Sequence, residues 1–185
     1  MDTSKAKVLS GRLLSPLGNR WAHVQAVAAR GQNVALALPQ ADRETLVAAC
    51  WLHDIGYAPD AKKTGFHPLD GARYLADAGV DDRIVSLVAY HSGAVYEAEE
   101  RGLASALAVF PMPSDPVLLD ALTYSDMTTG PAGQPMTFAN RIAEILSRYG
   151  PDDPVHRAIT RSRSSLADSV ERTEARLAAL VLQPR

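Results

Sequence analysis

Cysteine is almost absent from this chain. Cys50 is the one thiol in 185 residues, so no internal disulfide can form, which fits a reducing cytoplasm. Long hydrophobic runs are missing as well. No segment approaches the roughly 20 apolar residues of a membrane span, and the opening MDTSKAKVLSGRLLSPLGNR has no apolar stretch long enough for a signal peptide. Neither sign of charge is in excess. Lys and Arg number 19 against 21 Asp and Glu, a net charge of −2, so no global field draws the protein towards nucleic acid. These absences predict a cytoplasmic protein with neither a nucleic acid nor a membrane as partner. Internal repeats, low-complexity tracts and strand-like alternation are also lacking. The glycines of GARYLADAG open and close a helix and make no nucleotide-binding glycine loop.

What is present is helical periodicity. With 46% hydrophobic and 22% charged residues, the chain has the composition of one globular domain over residues 1–185. Trp21, Val24, Val27 and Ala28 recur at three- and four-residue intervals between Arg20 and Gly31, the pattern of one buried helix face. A second helix is expected from about Ala41 to Asp54, with Asp42 as its N-cap and Gly56 just beyond its end. HPLDGARYLADAG is a helix opened by Pro68 and closed by Gly79, and VDDRIVSLVAYHSG is the next. AVYEAEERGL, PVLLDALTYSDM and a stretch from Thr137 to Tyr149 follow. The predicted class is all-α, with a core over about 14–149 and one long helix from about 153 to 182. In that last helix Val155, Ile159, Leu166, Val170, Leu177 and Val181 form a stripe interrupted by Ser162 and Thr173. The stripe is expected to pack on the domain. A coiled-coil seam, and with it a homodimer, is the alternative.

Four of the five histidines fall within or at an end of a predicted helix. His23 lies in RWAHVQAVA, His53 ends a helix in WLHDIGY beside Asp54, His67 starts one in GFHPLDGA, and His91 ends one in VAYHSG. Asp126 closes a later helix in LTYSDMTT. A helical bundle can bring such positions to one interior point. Four neutral imidazoles and two carboxylates are too many ligands for one tetrahedral ion. They suit two octahedral ions that share a carboxylate. Nitrogen and oxygen donors without thiolate favour iron, manganese, cobalt or zinc, and magnesium less. Between two such ions a water loses a proton near neutral pH, and the pair clamps the oxygens of a phosphoryl group.

Taken in order, H…HD…H…H…D resembles the HD-domain superfamily of metal-dependent phosphohydrolases. The resemblance runs from about Leu14 to Tyr149 and rests on RWAHVQAVAARG, CWLHDIGY, GFHPLDGARYL, LVAYHSG and ALTYSDMT. It implies that His23, His53, Asp54 and Asp126 are the four-ligand core. It also implies that His67 and His91 are the extra histidines of the dinuclear branch, with Asp54 bridging two divalent ions. The pattern is similar to that of bacterial HD hydrolases such as the symmetrical diadenosine tetraphosphate hydrolases. It departs from them in a shorter gap, 14 residues from His53 to His67, which bears on the substrate rather than the metals.

The expected function is hydrolysis of a phosphate ester or anhydride of a small molecule, a nucleotide foremost, by attack of a metal-bound hydroxide. The same ligand order resembles that of HD-type mixed-valent diiron oxygenases, which is the first alternative. A regulatory domain that binds nucleotide without turnover is the second. Arg20 shares a helix face with His23 and suits a phosphate, a carboxylate behind the ligands, or plain solvation at a helix start. Lys62 and Lys63, in the loop between His53 and His67, are candidate phosphate contacts. Cys50 is read as a small core residue. His156 and the tyrosines at 57, 90, 96 and 124 are assigned no chemistry.

Overall fold

Aspartates and prolines set where the helices begin. In the computed structural model, which describes residues 1–182, the Asp2 carboxylate accepts from the backbone N–H of Lys5 and opens α1 (Thr3–Leu14). Asp81 does the same for α5 (Asp82–Tyr90), Asp115 for α8 (Pro116–Met127), Thr137 for α9 (Phe138–Arg148) and Asp153 for α10 (Pro154–Val181). Each cap satisfies an N–H that the helix itself cannot, an effect of about 1 kcal/mol. Pro116 and Pro154 occupy the first turns of their helices, where a missing N–H costs nothing. The remaining helices are α2 (Asn19–Ala35), α3 (Gln40–Leu52), α4 (His67–Asp77), α6 (Ala94–Glu100) and the single turn α7 (Ala104–Leu107).

The all-α expectation is met. Among the described residues there is no strand, only an isolated bridge between Thr129 and Pro135. No described helix is long and apolar enough to cross a membrane. Two details differ from the sequence reading. The first is α1, which was not anticipated. It buries Ala6, Leu13 and Leu14 against α3. The second is Asp42, which does not cap α3. Pro39 precedes that helix without a side-chain bond, and Asp42, one turn in, instead accepts from Arg83 at 2.7 Å. The proline, with its extended backbone, starts the helix at Gln40, one residue before the expected Ala41.

α2 and α3 lie side by side, α8 crosses both, and α5 packs on α3 with α4 outside it. Leu46, Leu52, Ile55, Phe66, Leu69 and Leu122 are fully enclosed there, each worth roughly 1.5–3 kcal/mol of burial. A smaller cluster joins α8, α9 and α10 through Met127, Ile142, Ile145, Ile159, Leu166 and Val170.

α10 packs along α6, α8 and α9, so its stripe packs on the domain. Ser162 and Thr173, which break the apolar pattern, are 1% and 2% exposed and belong to the packed face. Ser162 sits where Gly93 approaches so closely that a Cβ there would meet Ser162 Cβ at 3.3 Å. A small residue is needed at that crossing. Val181, by contrast, is 84% exposed and contributes nothing to the contact.

A buried carboxylate ties α10 to α8. Asp120 accepts from Arg172 Nε at 2.8 Å and Nη2 at 2.7 Å, with Arg176 Nη1 at 3.5 Å. Because the Arg172 side chain is half exposed, solvent screens much of this attraction. Asp120→Ala should therefore cost about 1–2 kcal/mol in urea unfolding with metal content unaltered. A stability equal to that of the parent would show that the fork holds nothing.

Candidate metal centre

The apolar spacing of α2 turns His23 inward with Val24 and Val27. His53 follows the last residue of α3, and Asp54 begins the one-turn 3₁₀ helix Ile55–Tyr57. Gly56 lets this turn lie directly on the start of α4. A Cβ at Gly56 would fall 2.0 Å from the His67 carbonyl oxygen and 2.7 Å from the Gly71 backbone nitrogen. That approach puts His67 against Asp54. His91 ends α5, and Ser92 after it adopts left-handed backbone (φ 49°, ψ 39°). For a non-glycine residue this costs roughly 1–2 kcal/mol. Its hydroxyl donates to Asp126 Oδ2 at 2.5 Å, joining the His91 turn to the end of α8.

These six side chains meet at one interior point. His23, His53, Asp54, His91 and Asp126 are buried, and His67 is the most open, with 18% of its side chain exposed. Asp54 lies at the centre and offers one oxygen to each side. Its Oδ2 is 3.4 Å from His53 Nε2 and 3.8 Å from His23 Nε2, while Oδ1 is 3.3 Å from His67 Nε2. His67 Nε2 lies 3.1 Å from His91 Nε2, and His23 Nε2 lies 3.1 Å from Asp126 Oδ1. Two sets of ligand atoms, from His23, His53 and Asp54 and from Asp54, His67 and His91, each fit within 4.8 Å. Asp54 is common to both.

The protons explain why such a cluster suits a cation. His23 Nδ1 faces the Gly130 carbonyl at 3.0 Å, His53 Nδ1 the Cys50 carbonyl at 2.9 Å, and His91 Nδ1 the Val88 carbonyl at 2.6 Å. A carbonyl only accepts, so each Nδ1 carries the hydrogen and each Nε2 presents a lone pair inward. His23 and His53 thus point two lone pairs at each other across 3.4 Å with no proton between them. Burial outweighs the nearby carboxylates and pushes the His53 imidazole down to about 4, so it takes no proton near neutrality. His67 is likewise held well below its ordinary value, chiefly by burial. Burial alone would raise the carboxyls of Asp54 and Asp126. Arg20 outweighs it at Asp54, and positive charge nearby, Arg141 included, does so at Asp126, so both are held well below the usual carboxylate range. Neutral imidazoles and ionised carboxylates aimed at one another without hydrogens are a donor set for divalent metal.

Of the other expected residues, Arg20 is in place. Its Nη1 contacts Asp54 Oδ2 at 2.5 Å, and its guanidinium stacks 4.0 Å from the centroid of the Tyr57 ring, whose other neighbour is the stacked His67 ring at 4.3 Å. Burial works against its charge, but Asp54 outweighs it and raises the guanidinium pKa. Lys62 and Lys63 are not brought in. Both are exposed and neither lines the pocket over the cluster. Their loop is pinned elsewhere: the Asp70 carboxylate accepts from the backbone N–H groups of Lys63, Thr64 and Gly65 at 2.9–3.0 Å. Cys50 is buried, as expected of a core residue, with its thiol pushed up to about 12 by burial.

Several functional neighbours went unread in the sequence. Tyr57 backs both Arg20 and His67. Gly130 supplies only a carbonyl, which no side-chain pattern reveals. Arg141, 6% exposed on α9, brings Nη2 to 3.8 Å from Asp126 Oδ1. It had a signal: Phe138, Arg141, Ile142 and Ile145 repeat at helical spacing, so a charge sits in an apolar stripe. The pocket over the cluster, about 90 Å³, is walled on one side by Arg20, Asp54, His67 and His91 and on the other by α9 and α10.

The protein-family model described as HD domain matches residues 20–129, more than half of the chain and all six candidate ligands. No curated protein and no solved structure matches it.

Proposed function

The chain belongs to the HD-domain family, and from that premise we propose that it is a metal-dependent phosphohydrolase acting on a phosphate ester or anhydride of a small molecule. The family is generally one of metal-dependent hydrolases. The observation that carries the finer reading is Asp54, whose Oδ2 faces His23 and His53 while its Oδ1 faces His67, itself beside His91. Two divalent ions would each find histidines there and have Asp54 in common. His23, His53 and Asp126 would hold one ion with Asp54, and His67 and His91 the other. When bound, the ions supply Lewis acidity towards a water and towards phosphoryl oxygens.

The chain's own groups do the remaining work. Three backbone carbonyls lock His23, His53 and His91 in the tautomer that leaves Nε2 free. Arg20, braced on Tyr57, places a permanent positive charge at the pocket wall beside Asp54. There it opposes the charge that grows on the phosphoryl oxygens in the transition state. Burial strengthens each of these interactions. A nucleotide is the substrate class to try first. The pocket has room for a phosphoryl group, and Tyr149 in its lining supplies aromatic surface for a base.

The test is elemental analysis of the purified protein, followed by a panel of nucleotides and phosphomonoesters assayed with manganese or cobalt. Phosphate release without oxygen consumption is the expected result. Substrate-dependent oxygen uptake by the iron-loaded protein would replace this reading with the diiron oxygenase. Binding without conversion across the whole panel would replace it with a regulatory domain.

A further inference from the structure

Arg141 lies outside the matched span, on α9, and its pairing is incomplete. Its side chain is 7% exposed. Nη1 donates to Glu144 at 2.6 Å, but Nε is buried with no partner, and Nη2 stops 3.8 Å short of Asp126 Oδ1. Glu144 is itself shared, since Arg148 Nε approaches it at 2.6 Å. One carboxylate therefore serves two guanidiniums at the pocket wall that Arg141 and Arg148 both line. Burying a guanidinium with donors unused is costly, and a purely structural arginine would be satisfied by its neighbours. An acceptor placed in the pocket, which Arg141 lines, would complete its pairing.

Position identifies that acceptor. Arg20 stands beside Asp54 and Arg141 beside Asp126, so the two guanidiniums flank the histidine cluster through different carboxylates. Planar forked donors match the oxygens of a phosphoryl group. We infer that Arg141 is a phosphate-binding, specificity-determining residue of this site, closing on the substrate's phosphoryl group from the Asp126 side while Arg20 holds it from the Asp54 side. The inference rests on the phosphohydrolase reading for its substrate but not for its binding chemistry. Beyond Arg141 the wall carries Ile145, Val155 and Ile159 beside Arg148, so the group attached to that phosphoryl meets an apolar stretch of wall next to a further positive charge. The second arginine is thus contributed by a part of the chain outside the matched span.

Inorganic phosphate titrated calorimetrically into the manganese-loaded protein tests this directly, with Arg141→Met and Arg141→Lys compared and the metal content of each measured. Arg141→Met should weaken phosphate binding about tenfold to hundredfold at unchanged metal content. Arg141→Lys, which keeps the charge but not the fork, should recover part of the loss. With a phosphomonoester that is turned over, KM should rise in the same ratio as the phosphate Kd. Should the methionine variant fail to fold, the lysine variant carries the comparison, with a weakening of a few-fold expected. Undiminished phosphate affinity in the variants, no phosphate binding by the parent, or metal lost in step with phosphate would overturn the inference, the last by showing that Arg141 only holds Asp126. Phosphate binding is read without turnover. A protein that hydrolyses nothing yet loses phosphate with Arg141 defeats the hydrolase reading alone, and one that hydrolyses esters with an unaltered KM in the variants defeats this inference alone.

Discussion

Asp54→Asn is expected to abolish phosphate release, by about 10³-fold or more, and to strip metal from both halves of the cluster. The reason is its centrality. Arg20, His23, His53 and His67 all lie within 3.8 Å of its two oxygens, so its charge is the one that every neighbour shares. The amide keeps the shape and removes the negative charge, which separates loss of metal from loss of fold. Asp54→Ala goes further, because Arg20 loses its partner in a largely buried place. His67→Ala gives the contrast. That ring meets Oδ1 alone, so its loss should remove metal from one half and spare the other. Elemental analysis of the three variants reads this order. A metal-to-protein ratio in Asp54→Asn equal to that of the parent would end the shared-carboxylate account.

Gly56→Ala should be the most damaging single methyl group in the protein. Its Cβ would fall 2.0 Å from the His67 carbonyl oxygen and 2.7 Å from the Gly71 amide nitrogen, and both are backbone atoms that cannot swing aside as a side chain would. Either the 3₁₀ turn or α4 must move. A loss of at least about 3 kcal/mol is expected, which lowers the melting temperature by roughly 6–12 °C in a chain of this size. The displacement also draws His67 away from Asp54, so metal affinity should fall in whatever protein still folds. Gly79→Ala is the comparison. A Cβ there meets no atom within 4 Å, and the cost is only that of its left-handed backbone (φ 68°). Equal melting temperatures for Gly56→Ala and the parent would mean that the two segments are not in contact.

The six ligand candidates were legible because their roles need particular atoms in a particular order. A histidine at a helix end or on an apolar face leaves a mark in one dimension, as His53 and His23 show. The fold class was legible for a similar reason, since α2 and α9 bury one face each. α1 was not read: its start rests on the Asp2 cap, and Val8 in its apolar pattern is exposed. Lys62 and Lys63 were misplaced because a loop's chemistry says nothing of its direction. Only the structure shows Asp70 gathering that loop to itself. Ser92 was beyond reach altogether: its left-handed turn is imposed by the junction of α5, α6 and α8, not by serine's own preference.

α10 carries no ligand and lies wholly outside residues 20–129, yet Ser162 seats the Gly93 turn that follows His91, and Val155 and Ile159 close the pocket wall. A fragment trimmed to the matched span would therefore retain every candidate ligand while losing the floor on which one of them stands. The minimal unit that keeps the site's shape is longer than the minimal unit that can be recognised.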